Sequence, residues 1–176
     1  MRRLTIAAVL LAFAVYGTPA LAGSPPNWTD RLSFGVDGEG ASWSGTVENE
    51  SSFLPGAYLS YGATSGLSFS ATLKRDFPRH TSFGTGGFAF KIMSSDRGQI
   101  GLGANVVGYG DRTAWLGIVK PTSWNACVNG SYDLVQNQKT GQTFLFGIAG
   151  ASLDPDNNVK QVHIGLRAQL LGGRSY

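Results

Sequence analysis

The sequence predicts an all-β protein, a closed antiparallel up-and-down transmembrane β-barrel of about eight to ten strands. Three observations support this prediction. A segment near the C-terminus alternates strictly between apolar and polar residues, the N-terminus has the form of an export signal, and the rest of the chain is rich in glycine and poor in charge.

The strictest alternation covers residues 161–170. Successive side chains of a strand point to opposite faces, so this segment has one aliphatic face and one polar face. The aliphatic face consists of Val162, Ile164, Leu166, Ala168 and Leu170. The polar face, which includes His163 and Arg167, predicts a strand between two different environments.

Residues 1–22 are predicted to be a cleaved secretory signal peptide. Arg2 and Arg3 precede an apolar run over 4–16, and the sequence Ala-Leu-Ala at 20–22 fits a cleavage site. The apolar run is too short for a comfortable membrane span. We therefore expect a single β-barrel domain over residues 23–176.

Charge and cysteine content exclude several classes of function. The full chain has 14 Lys+Arg and 11 Asp+Glu. Loss of Arg2 and Arg3 leaves a net charge of 14 − 2 − 11 = +1, without the basic stripe expected of a nucleic-acid-binding protein. Cys127 is the only cysteine, so no internal disulfide forms, and we expect a packed, inert thiol.

The turn signals of the first half begin with Asp37-Gly38. We interpret this pair as a hairpin, because the apolar alternation changes phase across it. The polar run 48–55, the triplet at 64–66 and a charged loop over 75–85 that contains Pro78 mark the following turns.

Further turns in the second half fall at 94–98, 108–112, 136–141 and 154–158, and Pro121 ends a short run. The ten candidate strands cover 32–36, 41–47, 57–63, 67–73, 88–92, 100–106, 114–119, 124–128, 144–148 and 161–170. The number would fall towards eight if weak runs, most plausibly 41–47 or 114–119, were merged with a neighbour or were not strands.

The polar faces favour a membrane barrel over a soluble sandwich. They consist mostly of small polar residues, and charged residues make up 14% of the chain, fewer than a soluble surface usually carries. Glycines such as Gly101 and Gly103 relieve crowding in a tightly curved wall. We expect aromatic residues near strand ends to form interfacial girdles: Trp28, Phe53, Phe77, Phe83, Tyr109 and Trp124.

With these features the chain resembles, at class level, the small outer-membrane β-barrels of Gram-negative bacteria. The resemblance covers the signal peptide and essentially all of the mature chain, and it depends on pattern rather than on a family motif. Tyr176 supplies the terminal aromatic residue that is common in that class, although Gly172 and Arg174 interrupt the alternation before it. The resemblance implies an outer-membrane location and insertion by the barrel assembly machinery.

The triplet His80-Thr81-Ser82 is similar to the His and Ser of the outer-membrane lipid A deacylases, where Ser attacks an ester and His acts as base. In that family the triplet lies in a late strand and an acidic residue follows it. Here the triplet lies in mid-chain, and Asp96 or Asp111 would have to orient the imidazole. A ten-strand topology would also place this loop on the periplasmic side. His80 and Ser82 are therefore weak catalytic candidates.

The polar faces predict a network inside the barrel. In a narrow barrel these side chains would fill the lumen with hydrogen bonds and ion pairs, and a small pore is the functional alternative. The predicted lumen residues are Lys91, Asn105, Asn129, Ser131, Asp133, His163 and Arg167. No metal-ligand cluster or phosphate-binding glycine loop occurs, so we expect no metal, cofactor or nucleotide.

The sequence therefore predicts an integral outer-membrane β-barrel with a structural or interaction role at the cell envelope, without enzymatic activity. A narrow small-solute pore is the main variant. The expected partners are outer-membrane lipid, lipopolysaccharide and the barrel assembly machinery, with no nucleic acid. Two alternatives remain open: a lipid-modifying enzyme with His80 and Ser82 in its active site, and a soluble secreted β-sheet protein that binds a ligand.

Overall fold

Eight antiparallel strands close into a barrel in the computed structural model of the protein, which describes residues 31–45, 49–110, 116–136 and 143–172. The strands are β1 (Leu32–Ser44), β2 (Asn49–Gly62), β3 (Leu67–Asp76), β4 (Thr81–Ser94), β5 (Gly98–Tyr109), β6 (Thr122–Gln136), β7 (Thr143–Asp154) and β8 (Val159–Gly172). The predicted closed barrel is confirmed, with the lowest predicted number of strands. The predicted signal peptide lies outside the described residues.

Each strand pairs with its neighbours in the chain, and β1 pairs with β8 to close the wall. The up-and-down order defines two ends. We call the end with the connections 45–48, 77–80, 110–121 and 155–158 the loop end. The opposite end, with the connections 63–66, 95–97 and 137–142, also carries both ends of the paired chain, and we call it the terminal end.

The predicted hairpin at Asp37-Gly38 is wrong, because β1 runs through it without a turn. Asp37 is paired with Gly56 of β2 and with Arg167 of β8 in the middle of two ladders. The change of phase has another cause. Phe34 and Val36 face outward, whereas Ala41 and Trp43 are buried inside the barrel. The apolar side of this strand therefore changes from the outer face to the inner face along its length.

The predicted strand at 114–119 is also wrong for its described part. Residues 116–119 lie in the connection between β5 and β6, and Leu116 is fully buried in the apolar cluster at the loop end. Its neighbour Ile118 packs against the same cluster. Their apolar character comes from packing within this connection, not from a face of the sheet.

The outer wall is apolar, as the alternation of the last strand predicted. On β8 the side chains of Ile164 and Leu166 are 71% and 53% exposed, while the alternating polar residues point inward. Outward apolar side chains on the other strands include Phe34, Val36, Leu73, Phe88, Phe90, Leu102, Val106 and Val128. Within the described ranges, no helix is long and apolar enough to cross a membrane.

Strand β7 departs from the predicted row of Phe144, Phe146 and Ile148. The pairing with β6 shifts register between Val135 and Gln136, opposite Phe144. Because an extra residue in a strand reverses the alternation beyond it, Phe144 is exposed whereas Phe146 and Ile148 are buried in the barrel.

The girdle prediction is wrong for two of its residues. Phe53, Phe77 and Trp124 are exposed on the outside. Phe83 and Tyr109 instead pack against each other inside the loop end, with ring centroids 6.0 Å apart. Trp28 lies outside the described residues.

Close backbone approach at Gly103 tests whether the barrel closes as described. A Cβ atom at Gly103 would lie 2.2 Å from the carbonyl oxygen of Phe88 on β4, so a side chain there would push the backbones apart. We expect Gly103→Val to abolish the heat-modifiable gel migration of the refolded protein. Gly86→Ala is the control, since nothing lies within 4 Å of a Cβ at that position. A normal shift in both variants would contradict this packing.

Candidate functional site: the barrel lumen

The lumen is lined by alternate residues of the strands, since every second side chain of a strand points into the barrel. The inward residues enclose a cavity of about 270 Å3 that all eight strands line. This volume is slightly below the roughly 300–1,000 Å3 of typical small-molecule sites.

Two ion pairs lie on the inner face of the barrel wall, among β1, β3 and β8. Arg167 Nη2 donates to Asp37 Oδ2 at 2.9 Å across the closing β1–β8 ladder. Lys74 of β3 forms an ion pair with Glu39 of β1, whose side chain is almost fully buried. Both carboxylates are buried away from solvent, so a paired cation compensates for much of their desolvation cost.

The guanidinium of Arg167 also lies over an aromatic ring. Its Cζ is 4.1 Å from the ring centroid of Tyr58 on β2, a cation–π arrangement. This contact holds the planar group between the carboxylate of Asp37 and the ring. Arg167 thereby connects the first, second and last strands from inside.

Asp37, Glu39 and Lys74 are lumen residues that the sequence reasoning missed. Asp37 belongs to the wrongly predicted hairpin, Glu39 lies between the candidate strands 32–36 and 41–47, and Lys74 lies directly after the candidate strand 67–73. Counting every second residue onward from Ser33 would have found both acids, because Ser33, Asp37 and Glu39 share one face of β1.

Amide side chains form a second network around Cys127. Asn105 Nδ2 and Asn129 Nδ2 each donate to the sulfur of Cys127 at 3.3 Å, and Asn105 also donates to Asn125 Oδ1 at 3.2 Å. The thiol is buried and free. It therefore serves as a packed acceptor within a hydrogen-bonded layer between β5 and β6.

The seven predicted lumen residues all lie on inward faces, and the structure divides them among different partners. Six line the cavity: Lys91, Asn105, Asn129, Ser131, His163 and Arg167. Asp133 lies near the terminal end, where it accepts hydrogen bonds from Thr143 and Gln136 at 2.9 and 2.7 Å. Arg167 therefore belongs to an ion pair, Asn105 and Asn129 to the amide layer and Asp133 to a terminal-end contact, rather than all seven forming one continuous network.

An apolar cluster, which we call the plug, lies inside the barrel at the loop end. It consists of Ala41, Trp43, Leu54, Phe83, Leu116 and Val159, with Tyr109 and Ile118 packed against it. Trp43 stacks on Phe83 with ring centroids 5.6 Å apart. Leu116 reaches the plug from the connection above the barrel mouth and is fully buried there.

The connection that carries Leu116 is held by Asn157, which lies in the turn between β7 and β8. Asn157 Oδ1 accepts the backbone N–H groups of Val119 and Lys120, and its Nδ2 donates to the Lys120 carbonyl at 3.0 Å. Asn157 also donates to Asp154 at 2.9 Å. This polar hub fixes the connection on top of the plug.

Asp154 joins the hub to the barrel wall. Its Oδ2 accepts the hydroxyl of Tyr109 at 2.7 Å and also the hydroxyl of Ser123. The carboxylate is buried, and these donors satisfy it in place of water. Strands β5, β6 and β7 are thus tied together directly below the connection.

The candidate catalytic pair is not assembled in this structure. His80 lies exposed in the β3–β4 turn with φ of 52°, while the hydroxyl of Ser82 accepts a hydrogen bond from Arg75 at 2.9 Å. No hydrogen bond joins His80 to Ser82 among the described residues. Asp96 lies in a turn at the opposite end of the barrel, and Asp111 lies outside the described residues.

The position of this turn corrects the ten-strand expectation. With eight strands the His80 turn lies at the loop end, opposite the termini, and not on their side. Its other charges are already paired: Arg79 forms ion pairs with Asp76 and Glu50. In the part of the chain that the structure describes, no group of three or more His, Cys, Asp or Glu residues could hold a metal ion.

Comparisons with known proteins agree with the barrel fold. No protein-family model matches the chain, and no curated protein sequence does. A de novo designed transmembrane β-barrel matches with a TM-score of 0.52 and 14% identity, over 77% of this chain and 95% of the design. This likeness shows the fold alone.

Two bacterial proteins match less closely. Neisserial surface protein A has a TM-score of 0.45 and 16% identity, over 78% of this chain and 96% of its own. Ail, the attachment invasion locus protein of Yersinia pestis solved with a heparin analogue, has a TM-score of 0.38 and 8% identity, over 79% and 96%. The chain has the fold of eight-stranded transmembrane β-barrels.

The ion pair between Asp37 and Arg167 gives a stability prediction. Arg167→Met leaves the buried Asp37 carboxylate unpaired, so we expect it to lower the free energy of unfolding by roughly 3 kcal/mol. Adding Asp37→Asn should restore part of that loss, since the buried charge is then gone. Urea unfolding in detergent, followed by tryptophan fluorescence, measures both variants. If Asp37→Asn destabilises the Arg167→Met variant by as much as it destabilises the wild type, the two side chains are not coupled and the prediction is wrong.

Proposed function

We propose that the chain is a non-conducting outer-membrane β-barrel with a structural or interaction role at the cell envelope. The observation that carries this proposal is the pairing of an apolar outer wall with an apolar plug inside the same barrel. The wall fits a lipid environment, and the plug closes the route through the lumen.

The outer wall supports membrane insertion over the soluble alternative. A soluble β-protein buries its aliphatic rows against each other, whereas here the rows of β5 and β8 are exposed on a closed cylinder. Closure also pairs the backbone groups of every strand, which a membrane requires. Outer-membrane phospholipid and lipopolysaccharide are accordingly the proposed surroundings of this wall.

The plug argues against the pore variant. Trp43 and Phe83 are stacked across the interior, and Leu116 lies in the same cluster. Small solutes and ions would have to displace these side chains from a packed contact, and an apolar constriction also excludes water. The polar lumen on the other side of the plug therefore stabilises the barrel and does not conduct.

The loop end supports an interaction role. Two described parts of this end are held by polar contacts: Asn157 holds the backbone of Val119 and Lys120, and Arg79 ties the β3–β4 turn to Glu50 on β2. Exposed apolar side chains such as Phe77 and Val119 project from these fixed connections. A rigid surface of this kind pays little conformational entropy on binding, which favours recognition of a partner outside the cell.

Assembly by the outer-membrane machinery is part of the same proposal. It depends on the predicted export signal and on the C-terminal Tyr176, both of which lie outside the described residues. A catalytic role has less support, because His80 and Ser82 have no common hydrogen bond and Arg75 holds the Ser82 hydroxyl.

Surface labelling tests both the location and the orientation. In a Cys127→Ser background expressed in a Gram-negative host, we expect Pro78→Cys at the loop end to react with a membrane-impermeant maleimide on intact cells. Ser65→Cys, exposed in a terminal-end turn, should react only after lysis. Equal labelling of both positions on intact cells, or recovery of the protein in the aqueous fraction, would contradict the proposal.

Conductance measurements test the plug. We expect the wild-type protein to give no stepwise current in planar lipid bilayers, and the Trp43→Ala/Phe83→Ala variant to conduct, because it removes the stacked pair from the lumen. Phe90→Ala removes an aromatic ring from the outer wall and should remain silent. Steady current through the wild type would support the pore variant instead.

A further inference from the structure

A groove crosses the outer wall over strands β5 to β8. Its floor is formed by small residues, Gly130, Gly147 and Ala149, and its sides by larger apolar residues. The side residues include Ile100, Tyr132, Ile164 and Leu166. The groove has a volume of about 770 Å3, within the range of roughly 300–1,000 Å3 found for sites that take small molecules.

Strand register explains why the groove is continuous. Ile100, Gly130, Ala149 and Ile164 are directly opposite one another on successive strands. Tyr132, Gly147 and Leu166 form the neighbouring row in the same way, on the same outward face. Because the small residues of the two rows are adjacent, the depression runs across the strands and does not stop at each one.

Among the described residues, no side chain fills this depression. A Cβ atom at Gly147 would meet nothing closer than Leu134 Cδ1 at 3.7 Å, and one at Gly130 nothing closer than the Gln99 carbonyl at 3.6 Å. Gly38 on β1 shows the contrasting case, since the ring of Phe53 covers it at 2.8 Å from the Cβ position. The outer wall thus fills one glycine site with its own aromatic ring and leaves the other open.

The polarity of the groove changes along its length. Nearly all of its lining is apolar, but one end reaches Ser94 and Ser95 next to the 95–97 turn, which carries the exposed Arg97. The hydroxyl of Ser95 bonds within this turn, to the backbone of Gly98. The exposed Arg97, next to the exposed Asp96 in the same turn, therefore places a cation where the apolar wall meets the terminal-end membrane surface.

We propose that this groove binds one phospholipid of the leaflet at the terminal end, with an acyl chain over Gly130, Gly147 and Ala149 and the phosphate near Arg97. The inference rests on the proposed membrane location. An acyl chain matches the apolar lining of the groove, and an anionic headgroup matches the cation at its end.

The shape of the wall favours a lipid over a second copy of the chain. Two barrels approach each other as convex cylinders, so a second wall would contact the rim of the groove and leave its floor empty. A flexible acyl chain can follow a groove that runs obliquely across a curved sheet. It gains van der Waals contact with the exposed floor that other lipids around the barrel do not gain.

Native mass spectrometry of the intact barrel in detergent, with added phosphatidylglycerol, tests the proposal. We expect the wild type to retain one lipid, and Gly147→Phe to reduce that retention about tenfold, because the ring occupies the groove floor. Gly86→Phe places the same ring on an open outward site of β4 and should retain the lipid as the wild type does. Arg97→Gln should abolish the preference for phosphatidylglycerol over phosphatidylcholine.

Several results would overturn the lipid site. Equal retention by the Gly147→Phe and Gly86→Phe variants would remove the groove as its location, and a dimer peak lost only in Gly147→Phe would identify a second copy as the occupant. Heat-modifiable migration of each variant verifies that the barrel is closed. Failure of the membrane proposal is distinguishable, because the wild-type chain would then fractionate as a soluble protein whether or not it retains lipid.

Discussion

The pairing of β1 with β8 is the constraint on which the rest of the structure depends. In hydrocarbon each unpaired backbone group costs several kcal/mol, so a sheet in a membrane is stable only when its first and last strands meet. The ladder runs from Ser33–Gly172 to Ser44–Lys160, and Asp37 and Arg167 lie directly opposite each other within it. A side-chain ion pair thus reinforces, inside the barrel, the backbone pairing that closes the wall.

Closure also creates an interior that the chain must fill. The middle of the lumen is lined by compensated charges and amides around the cavity, and the loop end is filled by stacked aromatic and aliphatic side chains. The plug has an energetic consequence. Outward aliphatic residues gain little from association in lipid, since acyl chains are as apolar as they are. The interior cluster around Trp43 and Leu116 is removed from water as the core of a soluble protein is, and it stabilises the end of the barrel that the connections cover.

The packing inside the barrel also positions the described part of the β5–β6 connection at the loop end. Leu116 enters the plug from above, and Asn157 holds the backbone that follows it through three hydrogen bonds. Asp154 then ties this hub to β5 and β6 through Tyr109 and Ser123. A chain of contacts therefore joins this part of the loop-end surface to the side chains packed inside the barrel.

The amino-acid sequence by itself determined the fold class and the two faces of the last strand, because a period of two reports which residues share a face. It did not report whether that face is inside or outside. In a plugged barrel both faces of the sheet carry apolar rows. The phase change in β1 therefore looks like a turn in the sequence. For the same reason the sequence predicts an outward position for four side chains that lie inside: Phe83, Tyr109, Phe146 and Ile148. Only the tertiary structure decided these cases, and only it paired Asp37 with Arg167 and Glu39 with Lys74. Asp37 and Arg167 are distant in the chain and meet only because the cylinder closes, whereas Glu39 and Lys74 meet across β2, which pairs with both of their strands.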